Sequence, residues 1–167
     1  MKVKRLTELA LLTAVALIIF IIELRFPDII PVPGVKLGLA NIVTVYCVFQ
    51  YAPSETVMLV ACRVLLGAMF SGNWSALIYS ASGAFLCLTG MLLLKNILNS
   101  DDMWLASVIG AMLHNTGQIL AQMAVMQSTA VISYLPVLMI SGTIAGLFTG
   151  LSAQLLLKRL KKSNIIK

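Results

Sequence analysis

Charged residues are scarce in this chain. Asp, Glu, Lys and Arg make up 11% of its 167 residues, whereas hydrophobic residues make up 60%. A soluble domain averages about 25% charged and about 45–50% apolar residues. The scarcity excludes an ordinary soluble domain. It indicates an all-α, polytopic membrane protein that forms a single integral membrane domain over residues 1–167.

Residues for metal, redox and nucleotide chemistry are also scarce. The chain has one histidine and three cysteines, with no Cys-x-x-Cys pair, so neither a zinc nor an iron–sulfur site is expected. It lacks the Gly-x-x-x-x-Gly-Lys-Ser/Thr loop that binds ATP. Asp101-Asp102 is its one acidic pair, which is too few carboxylates for a magnesium-diphosphate site. We therefore expect no metal, no cofactor and no catalytic residue, and interpret the chain as a subunit rather than an enzyme on its own.

Long apolar runs are abundant. A bilayer about 30 Å thick is crossed by about 20 apolar residues in a helix. Six apolar runs predict six transmembrane helices, at about 6–24, 37–51, 54–70, 75–95, 104–126 and 132–157. Three prolines between Pro27 and Lys36 exclude a regular helix there. We expect this apolar connection to fold back over the bundle.

Basic residues are concentrated near the two ends of the chain. They precede the first run and follow the last, at Lys2, Lys4, Arg5, Lys158, Arg159, Lys161, Lys162 and Lys167. Under the positive-inside rule, both clusters are cytoplasmic anchors, and an even number of spans places both termini on that side. Nucleic-acid binding is disfavoured, because these charges adjoin membrane spans and no aromatic residues interleave them.

The fifth run carries four polar side chains on one face. With 100° per residue in a helix, His114, Asn115, Gln118 and Gln122 share an arc of about 100°. Polar groups at membrane depth face the protein interior or a cavity. We favour a ligand-lining role, because four polar groups exceed what interhelical bonding needs. Interhelical hydrogen bonding is the alternative.

Arg63 lies in the middle of the third run, where an isolated cation is costly and a partner is expected. No acidic residue is predicted at its depth, because Glu8 and Glu55 lie near inner ends and Glu23 near an outer end. Either backbone carbonyls and amide side chains satisfy Arg63, or an anionic ligand does. Arginine suits a carboxylate or a phosphate through its forked donors.

The polar residues are skewed toward the outer half of the predicted bundle. Gln118 and Gln122 lie nearer the outer side than His114, and Asn41 and Ser82 lie in the outer halves of their helices. A cavity open to the outside, with the Pro-rich connection as its lid, is the simplest arrangement. A wetted vestibule without a specific ligand is the alternative.

Small residues recur at a spacing of four in two helices. Gly142, Gly146 and Gly150 form a ridge along the sixth helix that lets another helix approach closely. Ala10 and Ala14 form an Ala-x-x-x-Ala pair near the cytoplasmic end of the first.

Four segments carry a resemblance to a known family: Pro33–Asn41 (PGVKLGLAN), Arg63–Gly67 (RVLLG), Ser80–Gly83 (SASG) and His114–Gln118 (HNTGQ). Together they resemble the bacterial membrane family labelled heptaprenyl diphosphate synthase component I, also called the Gx transporter family. That family is similar to the substrate-binding S components of energy-coupling-factor (ECF) transporters. Those are six-helix proteins whose first helix docks through an Ala-x-x-x-Ala surface onto a transmembrane coupling subunit driven by ATPases. The resemblance implies that Ala10 and Ala14 dock such a partner.

These observations lead to one principal hypothesis. The chain is a subunit of the bacterial cytoplasmic membrane that captures a small anionic ligand from outside for ATP-driven uptake by its partners. The residues predicted to hold the ligand are Lys36, Asn41, Arg63, Ser82, His114, Asn115, Gln118 and Gln122. The alternatives are a non-catalytic accessory subunit of isoprenoid or quinone metabolism, or a membrane subunit of a flavin- or quinone-linked electron-transfer complex.

Overall fold

The computed structural model of the chain describes residues 3–23, 25, 38–72 and 74–163, which form an all-α bundle. Six α-helices follow one another: α1 (Val3–Glu23), α2 (Asn41–Gln50), α3 (Pro53–Ser71), α4 (Trp74–Lys95), α5 (Met103–Met126) and α6 (Leu135–Lys162). Short 3-10 turns at Ser100–Asp102 and Thr129–Tyr134 precede α5 and α6. The predicted all-α class and number of helices are confirmed.

Four stretches in the described part of the chain are long and apolar enough to cross a membrane: α1, α3, Leu77–Lys95 of α4, and Thr129–Lys162, which includes α6. With ten residues, α2 is about 15 Å long, half the thickness of the hydrocarbon layer. The length of α5, 24 residues, suffices, but its polar face makes it less apolar than those four. The described helices thus have membrane character with four candidate spans.

The helix α2 begins four residues later than predicted. Gly38 has a φ of +67°, a left-handed conformation that glycine adopts readily. The backbone N–H of Asn41 then donates to the carbonyl of Gly38 at 2.9 Å. The left-handed residue Gly38 thus comes shortly before the start of α2, although the apolar run of the sequence continues through this point.

The helix α5 packs between α4 and α6 and runs antiparallel to both. A Cβ atom added to Gly146 would lie 2.8 Å from the Cα of Val108, and one added to Gly150 would lie 2.6 Å from the Cα of Trp104. Only glycine permits so close an approach of two backbones. The predicted glycine ridge on α6 therefore packs against α5.

The apolar core fills the half of the bundle nearest the two basic helix ends. Its most deeply buried side chains include Leu9, Val48, Leu59, Met91, Met103 and Leu157. These residues lie near the starts of α1, α3 and α5 and near the ends of α2, α4 and α6, so the core occupies a single end of the bundle.

A polar cluster around Tyr51 covers that end of the core. The guanidinium of Arg5 lies 4.5 Å from the centre of the Tyr51 ring and pairs with Glu55 at 3.3 Å. Lys95 donates to the Tyr51 carbonyl at 3.0 Å, and the Tyr51 hydroxyl donates to Glu8 at 3.4 Å. The cluster joins α1, α3 and α4 and closes this end of the bundle.

Candidate functional site

A cavity of about 590 Å³ occupies the opposite half of the bundle, and all six helices line it. That volume lies in the range of about 300–1,000 Å³ typical of ligand sites. Its polar lining comprises Glu23, Asn41, Thr44, Arg63, Tyr79, Ser80, His114, Asn115, Gln118, Gln122, Tyr134 and Ser141. Apolar side chains such as Phe20, Val60, Val64 and Leu88 form the rest of the wall. A mixed lining of this kind suits a small ligand with polar groups.

The polar face of α5 lies along the cavity. His114, Asn115, Gln118 and Gln122 all contribute to the lining, and four residues of helix span about 6 Å. The polar groups therefore extend over about 12 Å from His114 to Gln122. The side chains of Gln118 and Gln122 make no hydrogen bond within the ranges that the structure describes, and they remain available to a ligand.

Asn115 is a different case, because it binds another helix. Its Nδ2 atom donates to the Leu138 carbonyl on α6 at 2.6 Å. A Cβ added to Gly142 would lie 2.5 Å from the same Nδ2 atom, so the glycine makes room for this bond. The two interpretations of the α5 polar face thus apply to different residues: Asn115 joins helices, whereas the two glutamines face the cavity.

Arg63 finds its partners on α2. Its Nη1 atom donates to Oδ1 of Asn41 and to Oγ1 of Thr44, each at 3.0 Å, and lies 3.4 Å from the carbonyl of Ala40. The Nε and Nη2 atoms make no hydrogen bond to the described part of the chain. One side of the guanidinium is therefore held by protein oxygens, while the side chain also lines the cavity.

Glu23 lines the cavity although sequence reasoning left it out of the site. It is 7% exposed, and its carboxylate accepts a hydrogen bond from the backbone N–H of Gly38. Its negative charge also acts on Arg63. The available signal was an acidic residue near the end of an apolar helix, since a carboxylate at such depth is costly and usually functional.

His114 has a buried ring nitrogen without a protein partner. The Nδ1 atom makes no hydrogen bond within residues 3–23, 25, 38–72 and 74–163. A buried polar atom left unpaired is costly. The atom is sealed from solvent, whereas other parts of the residue contribute to the cavity lining.

Of the remaining predicted residues, the three that the structure describes lie away from the cavity lining. Ser82 donates to the Gly117 carbonyl at 2.9 Å and thereby joins α4 to α5. Ala10 and Ala14 are exposed on α1. Lys36 lies outside the described residues. Thr44, which the sequence did not single out, and Tyr79, which it placed in the outer half but did not assign to the ligand, do line the cavity.

Metal ligands do not cluster in this part of the molecule. Among the described side chains, no three His, Cys, Asp or Glu residues come together at one point. The chemistry that the described lining offers is hydrogen bonding, together with one guanidinium and one carboxylate.

The fold and the cavity define a class: an all-α protein with candidate membrane spans and a polar cavity between its helices. The model of the family described as heptaprenyl diphosphate synthase component I matches residues 12–156. The chain belongs to that family, as the resemblance predicted. No curated protein and no solved structure matches the chain.

Proposed function

We propose that the chain is a membrane-embedded subunit that binds a small anionic substrate in the cavity. The observation that carries the proposal is Arg63, which lines the cavity with its Nε and Nη2 donors unused by the described residues. A guanidinium at membrane depth is costly unless it is paired, and its forked donors suit a carboxylate or a phosphate. A bound anion would complete the hydrogen bonding of Arg63.

The size of the cavity supports a small ligand. A water molecule takes up about 30 Å³ in the liquid, so 590 Å³ corresponds to roughly 20 water-sized groups. The ligand's anionic group would bind Arg63, and its other polar groups would bind the amides of Gln118 and Gln122. His114 would supply a further donor or acceptor.

We propose six membrane crossings with both termini in the cytoplasm of a bacterial cell. The described basic residues at the start of α1 and at the ends of α4 and α6 support this orientation. The cavity lies in the half of the bundle away from these residues. The substrate would therefore enter from outside the cell.

Uptake would need partner subunits that hydrolyse ATP, as the resemblance to the S components implies. Ala10 and Ala14 are exposed on α1 and separated by one helical turn. Small side chains at this spacing allow a second helix to approach closely. We propose that this surface of α1 docks a transmembrane coupling subunit.

A second candidate is a non-catalytic accessory subunit in prenyl diphosphate synthesis. The family description favours it, because the words "component I" imply a second component. A prenyl chain of seven five-carbon units, however, exceeds the roughly 20 water-sized groups that the cavity would hold. Such a chain would have to extend into the lipid, so the cavity favours the smaller ligand.

Native mass spectrometry of the protein extracted in mild detergent tests the proposal. We expect the wild type to retain a small anion and the variants Arg63→Ala and Gln118→Ala to lose it. Thr89→Val is the matched control, because Thr89 is exposed and, among the described residues, its hydroxyl bonds only to the Phe85 carbonyl of its own helix. It should retain the anion. Thermal unfolding of each variant verifies that it is folded.

The proteins that co-purify distinguish the two candidates. An ATPase module would support uptake. A soluble prenyl synthase bound to a wild-type chain that carries no small anion would contradict the proposal and favour the accessory role.

A further inference from the structure

We infer that Asn41 and Thr44 are positioning residues for Arg63, and that the guanidinium edge they leave open recognises a pair of anionic oxygens on the ligand. The inference rests on the proposed function. It adds the chemistry of the ligand's head group and assigns a role to Thr44, which the sequence did not single out.

The contacts to Arg63 all involve one nitrogen. Asn41 and Thr44 lie three residues apart, on one face of the first turn of α2. Their side-chain oxygens each accept from Nη1 at 3.0 Å, and the Ala40 carbonyl lies 3.4 Å from the same atom. An Nη atom carries two hydrogens, so Nη1 has no donor left for a ligand.

The first turn of α2 is itself anchored. The N–H of Gly38 donates to the Glu23 carboxylate at the end of α1, and the Gly38 carbonyl accepts from the N–H of Asn41 at 2.9 Å. Thr44 is 4% exposed. The oxygens that hold Nη1 therefore belong to a fixed segment, and the planar guanidinium they hold has a fixed orientation.

The open edge of Arg63 consists of Nε and Nη2. Neither atom makes a hydrogen bond to the described residues. Neither is among the buried atoms that lack a partner, and the side chain lines the cavity. Their N–H bonds run side by side in one plane, which matches two oxygens of a carboxylate or a phosphate. A neutral amide offers a single acceptor oxygen and would leave one of these donors unpaired.

Benzoate and benzamide are suitable probes, because they share a ring and a planar head group and differ in charge and in the second oxygen. Their dissociation constants are measured by calorimetry on the protein in lipid nanodiscs. We expect the wild type to bind benzoate at least about tenfold more tightly than benzamide. Asn41→Leu and Thr44→Val should each lose most of this preference, because the guanidinium can then rotate.

Two further variants separate positioning from general damage. Thr44→Ser keeps the hydroxyl and should keep the preference for benzoate. Thr89→Val removes a hydroxyl from an exposed threonine of α4 that does not line the cavity, and it should also keep the preference.

Each failure has its own meaning. A preference that persists in both Asn41→Leu and Thr44→Val would overturn the positioning role while leaving the anion site intact. A preference lost in Thr44→Ser or in Thr89→Val would also overturn it, because the hydroxyl contact to Nη1 would not be the cause. A wild type that binds benzoate no better than benzamide would overturn the anion site and, with it, the proposed function.

Discussion

Asn115 and Gly142 share a small space between α5 and α6. The Asn115 amide fills it in order to reach the Leu138 carbonyl at 2.6 Å. A methyl group on residue 142 would lie 2.5 Å from the amide nitrogen, well inside van der Waals contact. The residue type at one position therefore depends on the residue type at the other.

This dependence predicts a non-additive pair of mutations. We expect Gly142→Ala to lower the free energy of unfolding by about 1–3 kcal/mol in the wild type, because it overpacks the interface. In an Asn115→Ala background the clash disappears, and the same change should cost much less. A double-mutant cycle measured by reversible denaturation in detergent gives the coupling energy, which should be about 0.5–3 kcal/mol. Additive effects would contradict the shared space.

Sequence reasoning found half of the polar residues of the cavity, and four of these six lie on α5, because helical periodicity is a local property. The arc from His114 to Gln122 follows from 100° per residue and requires no knowledge of the neighbouring helices. The partner of Arg63 could not be chosen in this way, since Asn41 precedes it by 22 residues. The sequence therefore left open whether protein oxygens or an anionic ligand satisfies Arg63, and the approach of α2 to α3 shows the protein oxygens that Nη1 reaches.

The positions of Glu23 and Ser82 also depend on contacts between segments that the sequence does not reveal. Glu23 was predicted near an outer helix end, but its contact with Gly38 across 15 residues of chain turns the carboxylate to the cavity. Ser82 was assigned to the ligand from its depth alone. Its direction depends on how α4 packs on α5, and in the structure its hydroxyl bonds to Gly117.

At the scale of elements, the glycines of α4 and α6 that pack against α5 differ in the atoms that they contact. A Cβ on Gly146 would meet the Cα of Val108 at 2.8 Å and the Ser107 carbonyl at 3.1 Å, both backbone atoms that cannot turn aside. A Cβ on Gly90 would meet only the end of the Leu113 side chain. The α5–α6 contact is therefore backbone to backbone, whereas the contact at Gly90 can adjust.

The matched pair Gly146→Ala and Gly90→Ala tests this difference. Alanine gains up to about 1 kcal/mol over glycine in a helix interior, so Gly90→Ala should be neutral or slightly stabilising once Leu113 changes rotamer. Gly146→Ala should be net destabilising, because separating two backbones costs about 1–3 kcal/mol. Thermal unfolding in the same detergent compares them. Equal shifts of the midpoint would contradict backbone contact at Gly146.

Element boundaries were less predictable than the number of elements. Six apolar runs gave six helices, because a helix in lipid must satisfy its own backbone. Hydropathy did not reveal the start of α2 at Asn41, since the residues around Gly38 are as apolar as those that follow. The start of α6 at Leu135 is set instead by Pro136, whose missing N–H is tolerated in the first turn.

At the scale of the whole molecule, the two ends of the bundle differ in packing and in charge. The end that holds the apolar core is closed by the Arg5–Tyr51 contact. There α6 ends in a basic turn, and Lys158 pairs with Asp101 at 2.9 Å. The cavity occupies the other end. A subunit that takes up substrate from outside would have the cavity end outside and the basic end in the cytoplasm.

Single cysteines at the two ends test that orientation. Ser128 lies at the cavity end between α5 and α6, Ser163 follows α6, and both are exposed. We expect a membrane-impermeant maleimide to label Ser128→Cys in intact cells, and to label Ser163→Cys only after the membrane is permeabilised. The parent protein carries Cys62→Ala and Cys87→Ala, because Cys62 is exposed and Cys87 lines the cavity.

The labelling pattern also tests whether the basic helix ends lie on the cytoplasmic side. Buried Cys47 remains in the parent, so the parent without an added cysteine measures the background. Labelling of Ser163→Cys alone in intact cells would show that the orientation is the opposite one, with the cavity toward the cytoplasm. Labelling of both would mean that α6 does not separate the two sites across the membrane. The first result would exclude capture from outside. The second would contradict a cytoplasmic end of α6, because the positive-inside bias of the helix ends would then not set the topology.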